Sequence, residues 1–351
     1  MLNRDKLERI GIDKLVLSGI KIETDKKSLF TEGQGWVEEK FEIKEELFSI
    51  EKTIKLYESG EIREVTYLRF NPNRLLHGHN IYNARNFELK ESINRLMSLL
   101  KSKNISIDLT EAKISEIEIN INLDLTFEEY KEVFTLLFLK LPKLRKIGNI
   151  NLNESYKKLF SDSTLDGGWK NHKVRVYDKK REVDDKNLLD FELTRLEWWL
   201  SSSTYKYYAT ERFNIDNTLE ALLEDHNILD KIFIELCHEK LFKEAYRYLE
   251  KELEPNLELS YLQFKKQNKL ARATGRTPKK NVYKYLEDNS WIFDYFNLIE
   301  IVKKHNKKHR GREIERIKHK YPHLNNKEKL SYLVSIILPH KSQLVGQTKT
   351  S

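Results

Sequence analysis

Alternation of apolar and polar residues organises the first part of the chain. Leu15-Val-Leu-Ser-Gly-Ile-Lys-Ile22 and Arg63-Glu-Val-Thr-Tyr-Leu-Arg-Phe70 repeat with a period of two, as half-buried strands do. Asn71-Pro-Asn73 then breaks regular structure. Between Phe87 and Leu100 the period lengthens, with Leu89, Ile93, Leu96 and Leu100 at helical spacing. Ile114-Ser-Glu-Ile-Glu-Ile-Asn-Ile121 alternates strictly: Ile117, Ile119 and Ile121 share one face, and Glu116, Glu118 and Asn120 share the other. Thr126 and Glu129 form a capping-box pattern that opens a helix to about Lys140. A turn signal at Asp166-Gly-Gly168 precedes two more strands, His172–Lys179 and Leu188–Leu196.

The character changes near residues 203–215. Leu219, Leu222 and Leu223, then Ile232, Phe233 and Leu236, carry helical periodicity through to Glu254-Pro-Asn256, which separates a basic helical segment. The predicted class is therefore α+β. An antiparallel-sheet domain spans 1–210, an all-helical basic domain spans 211–340, and 341–351 forms a flexible tail.

Composition narrows the class. With 39% hydrophobic residues and 16 Phe, 17 Tyr and 5 Trp to bury, the chain folds rather than staying disordered. No apolar run reaches the roughly 18 residues of a membrane span, and Met1-Leu-Asn-Arg-Asp-Lys6 lacks an apolar signal segment, so a cytoplasmic protein is expected. A single cysteine, Cys237, excludes an internal disulfide and a cysteine-cluster zinc site. The net charge of +8 is unevenly spread: residues 265–320 hold 17 Lys/Arg against 6 Asp/Glu, so the remainder is slightly acidic. A basic block of this kind suits phosphate contact, although a solvated face carries the same signature. No glycine-rich nucleotide loop and no GxSxG motif occurs.

Three groups of residues carry candidate chemistry. On the strand His172–Lys179, Lys173, Arg175, Tyr177 and Lys179 fall on one face, and the two cations beside Tyr177 favour a nucleophilic phenolate. An exposed tyrosine on a basic strand has the same spacing. His77 and His79, two apart around Gly78, share a side in extended chain and suit a divalent ion; a tight glycine turn explains them equally. Glu118 and Glu192 lie on polar strand faces and become Mg²⁺ or Mn²⁺ ligands if those faces converge. In the basic segment, Arg272, Arg276, Lys279 and Lys280 flank Gly275 and Pro278. They suit either a helix-turn-helix-like reader or a sequence-independent phosphate contact.

Four segments in order, Asn71–Tyr82 with its Gly-His-Asn, Ile114–Glu118, Val174–Glu182 and Leu188–Leu193, resemble the replication initiators of filamentous phages, the gene II/gene X family, and related plasmid initiators. The resemblance covers about residues 65–200. It implies an HUH/Rep-like nicking endonuclease fold and places Tyr177 on the nucleophile, Lys179 on the lysine beyond it, and His79 and Asn80 on the shared Gly-His-Asn. Glu118 stands where the family usually has Asp, Glu116 and Asp190 where it has Arg, and His77 where it has Gln. The implied reaction is metal-dependent nicking of origin DNA, single-stranded or supercoiled. A Mg²⁺ or Mn²⁺ held by His79, Glu118 and either Glu192 or His77 would assist. The products are a 5′-phosphotyrosine and a 3′-OH that primes a host polymerase, with a host helicase as further partner. Tyr205, Tyr207 and Tyr208 remain alternative nucleophiles. A non-catalytic DNA-binding regulator and a relaxase of a mobile element are the competing readings.

Overall fold

The computed structural model describes residues 9–24, 28–138, 163–183, 189–225, 227–243, 245, 249, 255–277, 292–306, 308, 310–320 and 327–338. The protein is α+β and built on a large antiparallel sheet. Its strands are β1 (Gly11–Ser18), β2 (Lys21–Thr24), β3 (Leu29–Gly33), β4 (Trp36–Lys44), β5 (Phe48–Tyr57), β6 (Ile62–Phe70), β7 (Ile105–Asp108), β8 (Lys113–Leu123), β9 (Thr164–Gly168), β10 (His172–Asp178) and β11 (Thr194–Ser201). Two compact units divide the chain: residues 1–126 with 169–233, and residues 127–168 with 234–351. The domain limits expected from sequence, 1–210 and 211–340, cut the chain differently. Residues 127–168 group with the C-terminal part, and the later break falls near 233.

In the first unit the sheet runs β3-β4-β5-β6-β1-β8-β11-β10, and β2 pairs with β7 in a separate ribbon. The strands earn their places by their apolar faces. Ile117 and Ile119 of β8, Leu196, Trp198 and Leu200 of β11, Val174 and Val176 of β10, and Leu15 and Leu17 of β1 are all fully buried. Each such side chain stabilises the fold by about 1.5–3 kcal/mol. Helix Asn86–Ser102 buries Leu89, Ile93, Leu96 and Leu100, the stripe that its 3.6-residue period predicts.

Two sequence expectations shift here. The apolar run Leu15–Ile22 is two strands, because Gly19 turns the chain at φ +71° between β1 and β2. Asp166-Gly-Gly168 lies within β9 rather than in a turn.

Apart from β9, the elements of the second unit's described residues are helices, among them Phe127–Phe138, the π-helix Cys237–Phe242, Pro255–Ala273, Ile292–His305, Arg310–Lys320 and Lys327–Ile337. Arg272 lies in the last turn of helix Pro255–Ala273, and Arg276 follows Gly275, whose φ of +67° lets the Arg276 amide return to the Ala271 carbonyl at 2.8 Å. Both arginines are exposed. Lys279, Lys280 and the tail 341–351 lie outside the described residues. No helix among the described residues is long and apolar enough to cross a membrane.

Candidate metal and nucleophile site

The polar face of the sheet carries the site. Cross-strand partners in an antiparallel pair project to the same side. Tyr177 of β10 stands opposite Arg195 of β11, and Arg175 opposite Glu197. Glu197 in turn faces Asn120 of β8, Arg195 faces Asn122, and Glu118 faces Lys14 of β1. Four strands thus bring Tyr177, Arg175, Arg195, Glu197, Glu118 and Lys14 onto one surface.

Asp13 joins them through an irregularity. The register of β1 against β8 shifts between Ile12 and Lys14, which inserts Asp13 as a bulge. A bulge re-aims a side chain that regular alternation would send elsewhere. Two asparagines of the Asn71-Pro-Asn73 motif hold it in place. Asn71 Nδ2 donates to Asp13 Oδ1 at 3.0 Å, and Asn73 Nδ2 donates to the Ile12 carbonyl at 2.9 Å. Asn71 is also the N-cap of helix Pro72–His77, accepting from the amides of Asn73 and Arg74, so the motif starts a helix rather than merely ending a strand. Gly11 is required beside it, because a Cβ there would lie 2.7 Å from the Ala84 carbonyl oxygen.

Asp13, Glu118 and Glu197 each offer a carboxylate oxygen within 4.8 Å of the others. The trio is largely sheltered: Asp13 and Glu197 are buried and Glu118 is half-buried. Burial, with the Glu118 and Asp13 carboxylates beside it, pushes the Glu197 carboxyl up to about 7. Burial also raises Glu118, an effect that Lys14, 3.5 Å away, opposes. Three acidic oxygens crowded in a largely buried group repel one another unless protonated or neutralised by a cation. An all-oxygen donor set suits a hard divalent ion such as Mg²⁺ or Mn²⁺.

Tyr177 reaches into this group, its hydroxyl donating to Glu197 Oε2 at 3.3 Å. Burial raises its pKa well above the usual phenol value; Arg195 opposes that rise, and the nearby Glu197 and Asp13 carboxylates add to it. The phenolate expected from neighbouring cations is therefore not the resting state. Lys179 departs from its expected place as well. It opens the short turn Lys179–Glu182 after the Asp178 cap instead of ending the strand. There it is fully buried, ion-paired to Glu182, with its ammonium 5.6 Å from the centre of the Tyr177 ring. Burial and the adjacent Arg195 lower its pKa to about 8.

Arg195 holds the layers together. It is fully buried; Nε donates to Asn122 Oδ1 at 2.7 Å, Nη2 to the Ile81 carbonyl at 2.7 Å, and Nη1 lies 3.3 Å from Asp13 Oδ2. The segment after His79 is thereby fastened over the polar face.

His77, His79 and Glu192 were expected at the metal with Glu118. Among the described residues the group that converges is Asp13, Glu118 and Glu197 instead. His77 is the last residue of helix Pro72–His77, and Gly78 at φ +73° ends that helix, so the two histidines do not lie on one extended strand. The two rings stack at 5.7 Å and both pack edge-on to Tyr82. His79 Nδ1 accepts from the Ile81 amide at 3.3 Å, and burial together with His77 and Lys179 lowers its pKa. Glu192 precedes the strand, which begins at Thr194 rather than Leu188; it is exposed and pairs with Lys180 at 2.8 Å. The alternation that suggested a strand there comes from Leu189 and Leu193 packing with Ile81 and Val183 under a loop.

Glu197, Asp13 and Arg195 had no assigned role in the sequence reading. Their signal was faint: the adjacent polar pair Asp13-Lys14 interrupting an apolar strand, and Arg195 and Glu197 alternating with Leu196 and Trp198. Of the alternative tyrosines, Tyr205 and Tyr208 are buried and Tyr207 is 43% exposed, on the π-helical turn Tyr207–Arg212. No protein-family model matches this chain, and no curated protein matches it.

Proposed function

We propose that the chain nicks DNA by metal-dependent transesterification, as a rolling-circle replication initiator of the gene II/gene X kind does. One observation carries this reading: a tyrosine hydroxyl bonded into three convergent carboxylates, with Arg175 on the same face. Asp13, Glu118 and Glu197 would hold Mg²⁺ or Mn²⁺, and the ion would supply positive charge to polarise the scissile phosphate.

The chain's own groups do the rest. Tyr177 Oη attacks phosphorus and forms the phosphotyrosine bond as the bond to the 3′ oxygen breaks. The phenol proton passes to Glu197 Oε2, which already accepts the Tyr177 hydroxyl. The 3′ oxygen takes a proton from water. Lys179, buried against the Tyr177 ring, stabilises negative charge developing on the phenol oxygen. Arg175, exposed beside Glu197, receives the phosphate. The phosphodiester energy stays in the covalent bond, so rejoining needs no nucleotide. Exposed Arg272 and Arg276 supply sequence-independent phosphate contact from the second unit.

Exposure favours a second reading of the nucleophile: Tyr207 attacks, and Tyr177 only positions Glu197. The test is cleavage of supercoiled origin DNA with Mn²⁺ by wild type, Tyr177→Phe and Tyr207→Phe. Loss with Tyr177→Phe alone supports the first reading, and loss with Tyr207→Phe alone supports the second. Equal nicking by both variants, or nicking in excess chelator, overturns the proposal.

A further inference from the structure

The polar face does not end at the carboxylates. Trp199 of β11 stands opposite Glu118 on one side and opposite Lys173 of β10 on the other. It is half-buried, its Nε1 donates to Glu116 at 3.2 Å, and the Lys173 ammonium lies 5.0 Å from its ring centre. Following the ladder across β8 and β1, Glu116 faces Val16, and Val16 faces Arg69 of β6. Arg69 lies 5.8 Å over the ring of Tyr67, two residues away on the same face. The unbroken β6–β5–β4 register carries that face on to Arg63 over Tyr57 at 5.3 Å and Lys55 over Trp36 at 4.7 Å, with Trp36 opposite Tyr57.

Four ring–cation pairs thus share the face that holds the carboxylates. None of the four rings is in the buried core, whereas the reverse face of β4–β6 buries Phe41, Ile43, Ile50, Leu68 and Phe70. An aromatic ring takes a base by stacking, and a cation beside it takes the adjoining phosphate. A duplex hides its base faces inside the stack, so this pattern fits a single strand.

We propose that this face binds single-stranded DNA, with Trp199 and Lys173 as the first base-stacking station beside the carboxylates and Tyr67 with Arg69 as the next. The inference rests on the nicking reading, since it names the strand delivered to that site. Three strand spacings, roughly 14 Å, separate β11 from β6, so successive rings serve non-adjacent bases. Glu51 pairs with Arg69 and Glu38 with Lys55, so a base that stacks on either ring takes the place of the cation and leaves it to the adjoining phosphate.

Binding of the full chain to fluorescent oligothymidylate in chelator, followed by anisotropy, tests this without any cleavage. Trp199→Ala is expected to weaken binding roughly 5- to 150-fold, matching about 1–3 kcal/mol per stacked base. Trp199→Phe should stay within about threefold, because the ring remains. Lys173→Gln should lower the slope of log affinity against log salt by about 0.7, the loss of one single-strand phosphate contact. Tyr67→Ala, on a half-buried ring, gives the same direction and carries the test if Trp199→Ala does not fold. Alanine variants that bind like wild type, or a duplex that competes as well as the single strand, overturn the proposal. Since no divalent ion is present, a failed nicking test leaves this result standing, and strand binding that fails while nicking persists sinks this inference alone.

Discussion

Replacing Glu197 by glutamine should make the metal-free protein more stable while removing its response to divalent ions. The folded carboxyl is raised from 4.5 to about 7. A raised carboxyl keeps its proton in the folded state while the unfolded chain has lost it, so its contribution is fullest at acid pH. It is lost as pH rises from the unfolded value through about 7. Each unit of difference is worth about 1.4 kcal/mol, so ionising Glu197 in place costs roughly 3 kcal/mol at about pH 8 and under about 1 kcal/mol at about pH 5. Glutamine removes that charge, fills the same volume, and keeps an oxygen to accept the Tyr177 hydroxyl. Thermal unfolding in chelator should therefore show Glu197→Gln melting roughly 6–12 °C above wild type at about pH 8, and little above it at about pH 5. Excess Mn²⁺ at the higher pH should raise the wild-type midpoint and leave the variant nearly unmoved, because a cation relieves the repulsion that the variant no longer has. A variant that is destabilised at both pH values, or that keeps the full Mn²⁺ response, would refute the reasoning.

Other outcomes follow from the same geometry. Arg195→Met should cost about 3–5 kcal/mol in urea unfolding, since it removes the ion-pair partner of the Asp13 carboxylate and the donor to Asn122 Oδ1 in a buried site. Glu192→Gln should change stability by less than about 0.5 kcal/mol and leave the Mn²⁺ response intact, because the residue is exposed and only pairs with Lys180. Lys179 has a folded pKa lowered to about 8, so the metal-free folded state binds fewer protons than the unfolded chain above that value. Wild type should accordingly gain up to roughly 3 kcal/mol relative to Lys179→Met between about pH 8 and 10.5; a flat difference across that range would contradict the burial of a charged ammonium.

How much of this was legible beforehand depends on where the information lies. The strand Ile114–Ile121 and the helix at Phe87–Leu100 were readable because each buries one face against one neighbour, so the period survives in the sequence. The strand meander β3–β6 was only partly readable. β6 alternates in its second half, but β3 is exposed on both faces and β5 is half-buried on both beyond Ile50, which leaves little contrast to read. At the site, local alternation put Tyr177 and Arg175 on one strand face, and the register adds Glu118 to that face. Asp13 was missed, because a bulge breaks the parity on which such reasoning depends. Glu192 was preferred to Glu197 because Leu189, Phe191 and Leu193 mimic a strand while packing in a loop. The histidines were misplaced by assuming extended chain across Gly78, whose positive φ instead ends a helix. Each error is a tertiary contact or a single backbone angle that local pattern does not encode.

The central claim is that Tyr177, set among Asp13, Glu118 and Glu197, becomes covalently joined to DNA. The most direct measurement is mass spectrometry of proteolytic peptides after incubation with Mn²⁺ and origin-bearing single-stranded DNA. A nucleotide adduct on the peptide containing Tyr177, lost in Glu197→Gln and in chelator, is the predicted result. An adduct on the peptide containing Tyr207, or none on any tyrosine while DNA is still cut, would contradict it.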